Sequence, residues 1–226
     1  MSRRLISALT VLGVSVALVG GAAAAPKKKP APKPLPPACN LVVDEAGDTA
    51  SAPFPASDTI DIKSADVASD GVTVTAVLRV FKYTENDPGT IYGKRYIIAF
   101  EGAGLKPMYL RALDYPGNVA PAAVRDQVAL PFDFGTTEVN ATTGQTQYAS
   151  KGPATGTINA STGEITVSAK AADFDAAGFG KLAKGGIIKN INAVTFRRVG
   201  NQLYDGDTAS SRKTYVVGQA SCVKVG

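Results

Sequence analysis

The sequence predicts an all-β fold, an antiparallel β-sandwich of jelly-roll type with at most one short helix near Asp173–Ala183. Three observations point there. Apolar residues recur at alternate positions in short runs, not at helical spacing. The 23 Gly and 14 Pro, with frequent Asn, Asp, Ser and Thr, punctuate those runs. Residues 39–226 show no break in composition and are long enough to bury one sizeable core, so they are expected to form a single domain.

In chain order, residues 1–24 have the form of a removed export signal. Arg3 and Arg4 are basic, Leu5 to Val19 are largely apolar, and small residues follow from Gly20. The run is short against the roughly 20 apolar residues of a spanning helix, so no membrane span is expected once the signal is removed. A retained anchor is the alternative. Ser2-Arg3-Arg4 matches a twin-arginine signal only in part, which favours the general secretory route. Residues 25–38 are a Pro/Lys-rich stem, whose prolines remove backbone donors and hold an extended, semi-rigid shape. The clearest strand is Val72–Val80, where Val72, Val74, Ala76, Leu78 and Val80 share one face. Asp70-Gly71 marks the turn before it, with Thr59–Val67 as hairpin partner. Arg95–Glu101 is the next strand, and Met108–Leu113 returns beside it. Thr157–Asn159 and Glu164–Ser168 flank a further turn. Asp173–Ala183 is the one place for a helix, capped by Asp173 or Asp175. Ile187–Val199 and Lys213–Val223 close the fold.

Charge and composition exclude several function classes. Of 24 Lys and Arg, six lie in residues 1–38 with no acid, leaving 18 bases against 19 acids in the body, a net −1. The electrostatic basis for nucleic-acid binding is therefore missing from the folded part. The chain has no His and no Trp. Without His there is no Ser-His-Asp or Cys-His nucleophile pair and no His-ligated zinc. Two cysteines, Cys39 and Cys222, stand at the ends of the body, and in an exported chain they are expected to pair; two free thiols are the alternative.

Three blocks carry a resemblance: Cys39-Asn40-Leu41 with Asp44 to Asp48; Ile60-Asp61-Ile62 with Asp70-Gly71 and Val72–Val80; and Gly178 to Phe196 followed by Tyr204 to Cys222. Together they resemble exported bacterial β-sandwich modules of the DOMON-like and carbohydrate-binding-like kind. The resemblance implies a jelly-roll sandwich, found alone or appended to secreted hydrolases, often with glycan as ligand. The chain departs from it in having no Trp for sugar stacking and no His for haem, and Met108 is its one methionine beyond Met1.

Candidate sites follow from residue chemistry. Asp44, Asp48 and Asp61 near one end and Asp205 and Asp207 near the other are a candidate calcium set, because calcium takes six to eight oxygens from carboxylates and loop carbonyls. The competing reading is that Asp and Gly are turn residues. Tyr83, Tyr92, Tyr109 and Tyr115 are candidate ligand-stacking rings, with Tyr148 and Tyr204 in the same class; packing at core edges is the alternative. Gly178 to Ala183 only loosely resembles a dinucleotide fingerprint and lacks its βαβ context. Glu101, Asp114, Asp126, Asp133 and Glu138 leave carboxylate-pair hydrolysis open without singling out a pair. The expectation is a secreted or envelope-associated, non-catalytic module binding glycan or cell-wall polymer, with calcium the one cofactor the residues suggest. A structural or protein-interaction domain is the alternative, and a carboxylate-dependent glycan hydrolase a third.

Overall fold

Asp70 sets the first hairpin. Its Oδ1 accepts the backbone N–H groups of Val72 and Thr73, both at 2.8 Å, and Gly71 supplies a φ of 92°. These bonds also hold the Asp70 carboxyl below the usual range. The chain thus reverses between β2 (Ile62–Ser69) and β3 (Thr73–Val80), with Val72 exposed in the turn and outside the strand.

The computed structural model describes residues 34–50, 54–87, 93–102, 106–115, 131–199 and 202–225. The expected signal and most of the expected stem lie outside these residues. One sheet has the order β1-β2-β3-β9-β8, with β1 (Val42–Val43), β8 (Thr155–Asn159) and β9 (Glu164–Lys170). The second, seven-stranded, has the order β11-β10-β4-β5-β6-β7. Its strands are β4 (Lys94–Glu101), β5 (Pro107–Asp114), β6 (Phe132–Val139), β7 (Thr146–Pro153), β10 (Ile187–Val199) and β11 (Gln202–Ser211); β12 (Tyr215–Val216) pairs with one end of β10. All pairings between these strands are antiparallel. Among the described residues the chain is an all-β, two-sheet sandwich with one short helix. Among the described residues no helix is long and apolar enough to cross a membrane.

The core is continuous across both sheets. Val67, Val74, Ala76, Leu78, Ile165 and Val167 belong to one cluster with Tyr96, Ile98, Phe100, Leu110 and Ile191. The helix α1 is Ala171–Ala176, slightly earlier than the sequence suggests. Lys170 occupies its N-cap without a side-chain bond, so Asp173 sits in the first turn and does not cap it. Phe174 is fully buried and packs its ring on Phe134 at 4.8 Å and Phe100 at 6.1 Å. Gly178, at a φ of 83°, ends this turn, so the glycine run that loosely resembles a nucleotide loop is a helix stop.

The second sheet is rolled. β7 and β10 are four strand steps apart, about 19 Å across a flat sheet. Yet the rings of Tyr148 (β7) and Phe196 (β10) lie 5.9 Å apart. The far edge has therefore curled over the face turned away from the core. Register shifts between Phe134 and Gly135, Lys189 and Asn192, and Thr195 and Phe196 mark where the strands bend. Gly135 is required at the tightest point, because a Cβ there would run into the Ala149 carbonyl and lie 2.7 Å from the Tyr109 hydroxyl. Among the described residues β7 and β11 do not pair, so the sheet is a trough and not a closed barrel.

Two expectations need correction. Asp205-Gly206-Asp207 is not a turn but lies inside β11, and Lys213–Val223 contributes only the short β12. Gly206 is the extra residue of a bulge, since Thr195 pairs with Asp207 and Phe196 with Asp205. A Cβ at Gly206 would lie 2.7 Å from Thr195 Oγ1 and 3.0 Å from its carbonyl oxygen. Gly206→Ala is expected to destabilise the protein by about 1–3 kcal/mol through this overpacking. Urea unfolding measures it, and an unchanged midpoint would contradict the bulge geometry.

The ends of the body are joined. Cys39 and Cys222 form a disulfide with Cα atoms 5.2 Å apart. Beside it Ala38 N–H donates to the Ala220 carbonyl at 2.8 Å, and the Pro36 carbonyl accepts from Gln219 Nε2 at 2.6 Å. The compact unit accordingly begins at Leu35, and the last residues of the composition-defined stem belong to the body.

Candidate functional site

Alternation on β10 builds the site. Ile191 and Ala193 enter the core, so Asn192, Val194 and Phe196 face the inside of the trough. Across from them β7 brings Tyr148 and Thr146, and β11 adds Thr208 and Asp205. Between these lips lies a cleft of about 500 Å³, completed by Gln145 and Leu203. A second cleft of about 260 Å³ adjoins it, sharing Thr146, Tyr148, Val194 and Thr208 and adding Glu101, Asn190 and Asn192. Tyr148 and Phe196 give the combined surface aromatic rings, and three carboxamides and two carboxylates add hydrogen-bond donors and acceptors.

The floor under Tyr148 is rigid. Tyr109 is fully buried, its ring edge-on to Tyr148 at 5.5 Å, and Arg111 stands over the Tyr109 ring at 5.1 Å. Arg111 holds Asp133 on the neighbouring strand with both arms of its guanidinium, Nε to Oδ1 at 2.7 Å. That pair is buried, with side-chain exposures of 10% and 2%. Burial pushes the Tyr109 and Tyr148 hydroxyls up from their ordinary values. On the other lip Arg95 lies 6.0 Å from the Phe196 ring.

Of the tyrosines singled out from sequence, Tyr148 lines the cleft and Tyr109 belongs to it as floor and not as contact surface. Tyr83 packs elsewhere. Its hydroxyl donates to Asp114 Oδ2 at 2.6 Å, and the buried Lys94 ammonium sits 4.2 Å from its ring. Tyr115 faces Arg198 at 5.6 Å, with its hydroxyl buried and unpartnered. Tyr92 lies outside the described residues. Tyr204 stacks edge-on against Phe54 at 5.0 Å. Phe196, Asn190 and Asn192 were not discernible as site residues, because nothing local distinguishes them from other strand residues.

The acids divide. Asp44, Asp48 and Asp207 bring one carboxylate oxygen each within 4.8 Å of one another. Asp61 stands outside that trio and is tied to the loop carrying Asp44 and Asp48, its Oδ2 accepting the Gly47 N–H at 2.7 Å. Asp207 is held by the N–H of Ile62 at 2.7 Å and of Thr208 at 2.6 Å. Asp205 does not take part: the Gly206 bulge turns it to the trough face while Asp207 faces the opposite way. Burial, then repulsion from Asp207, pushes Asp44 up to about 6, and burial likewise raises Asp61 and Asp207. Of the other carboxylates, Asp114 is engaged by Lys94 at 2.9 Å, Asp133 by Arg111, and Glu101 by Lys189 at 3.7 Å. Glu138 is exposed, and Asp126 lies outside the described residues.

No protein-family model matches the chain, and no curated protein matches it; its geometry is what bears on function.

Proposed function

We propose that this chain is an exported, non-catalytic binding module that takes a glycan or cell-wall polymer in the cleft of the rolled sheet. The observation that carries this reading is the edge-to-face pair Tyr148 and Phe196 at the cleft, with Asn190, Asn192, Gln145 and Asp205 around it. A sugar ring offers an apolar C–H face to an aromatic ring and hydroxyls to carboxamides and carboxylates. The expected signal and the disulfide support an exported, oxidising setting. The lysine-bearing stem would hold the body close to an anionic surface.

Retention of the purified protein on cell-wall and polysaccharide matrices tests this. Tyr148→Ala should weaken retention about fivefold, for a ring contact of about 1 kcal/mol, measured well below a melting temperature that the loss of its contacts with Tyr109 and Phe196 will lower. Retention that raised salt abolishes, and that Tyr148→Ala does not alter, would assign binding to the stem charges. No retention on any matrix would overturn the glycan reading in favour of a structural or protein-interaction domain.

A further inference from the structure

We propose that Asp44, Asp48 and Asp207, backed by the buried Asp61, form a calcium site that pins the segment after Cys39 to β11. The carboxylate oxygens of Asp44, Asp48 and Asp207 lie within 4.8 Å of one another. Oxygens on opposite sides of one calcium ion are about 5 Å apart, twice the metal–oxygen distance.

The cluster alone would be no more than acids on turns. What separates it from that is Asp61. This residue is 2% exposed, and its Oδ1 is buried with no hydrogen-bond partner, while its other oxygen is tied to the loop that carries Asp44 and Asp48. A buried carboxylate oxygen without a donor is costly unless a cation or a proton meets it. Asp44 Oδ2 is in the same condition, and Thr49 Oγ1, next in the chain to Asp48, is buried and unpartnered too. Among the described residues none of the four acids has a Lys or Arg within ion-pair distance. An all-oxygen, anionic set supplied by the 44–48 loop and β11 suits a hard cation, and waters and loop carbonyls would complete the shell.

The site has a structural purpose independent of the cleft. The 44–50 segment touches β11 through the Ala50 N–H to Gly206 carbonyl bond at 2.7 Å, and β10 through Arg197 Nη2 to the Ala50 carbonyl at 2.9 Å. A calcium ion held by Asp207 would add a second fastening between this segment and β11.

Calorimetric titration of the chelator-treated protein with calcium chloride, together with thermal melts, decides the matter. One ion should bind per chain with a Kd at or below about 1 mM, the range of extracellular calcium modules. Tenfold excess over Kd should raise the melting temperature by roughly 3–6 °C. Asp48→Asn, at an exposed position, should weaken binding at least tenfold and give a melt in chelator no lower than the parent's, because it removes repulsion among the acids. No heat and identical melts in calcium and chelator would overturn the proposal. Binding by Asp48→Asn as tight as by the parent would place the ion elsewhere and overturn it equally.

Discussion

Replacing Cys39 and Cys222 by serine should cost up to about 5 kcal/mol of stability, on the chain-entropy account of a loop closed over 183 residues. The bridge joins nearly the two ends of the body, so without it the unfolded chain regains almost all of its freedom. The folded state should change little, because the backbone bonds of Ala38 to Ala220 and Cys222 already hold the two strands of chain together. Urea unfolding of the parent and the double variant measures the difference. Equal midpoints would mean that the bridge constrains nothing that the fold does not.

The second large effect is expected at the trough floor. Asp133→Ala should cost about 3–5 kcal/mol, because it leaves the Arg111 guanidinium buried without its carboxylate. The double variant Arg111→Met with Asp133→Leu should recover most of that loss, since a buried pair replaced by apolar groups of similar volume is often neutral. Chemical denaturation of all three proteins is the measurement. A loss below about 1 kcal/mol in the single variant would show the pair to be solvated. The same variant should also weaken retention on a glycan matrix, because Arg111 backs Tyr109 and Tyr109 backs Tyr148.

The legible part of the fold is the part that alternates. β3, β4 and β10 show apolar residues on every second position because one face of each enters the common core. The pairing of Cys39 with Cys222 was equally open to inference, there being no other cysteine. β6, β7 and β11 were not legible, and they are the strands that make the trough. β7 runs Thr-Gln-Tyr-Ala-Ser-Lys-Gly-Pro, with no buried side chain to set a period. β6 buries Asp133 against Arg111, a pairing that only the fold reveals. β11 carries Asp-Gly-Asp, a turn signal by composition, yet the glycine is there for a bulge. The same bulge explains why the acidic set read from the sequence includes Asp205, which the structure places apart from the others. Asp205 and Asp207 are two residues apart and would share a face in a regular strand, whereas one inserted residue sends them to opposite sides. Tyr148 could be named as a ring, but its partner Phe196 depends on a curvature that no local pattern encodes.

The joined ends also fix how the body carries tension. A pull applied between the segment at Pro36 and the chain beyond Cys222 enters and leaves at adjacent points, and the covalent link between them takes the load. The two sheets lie wholly within the shunted loop and feel no stretching force. Without that link the same pull would pay out roughly 600 Å of unravelled backbone before the chain was taut. A module tethered to a surface at one end and burdened at the other would thus transmit strain as a rigid fastener, with its trough undeformed.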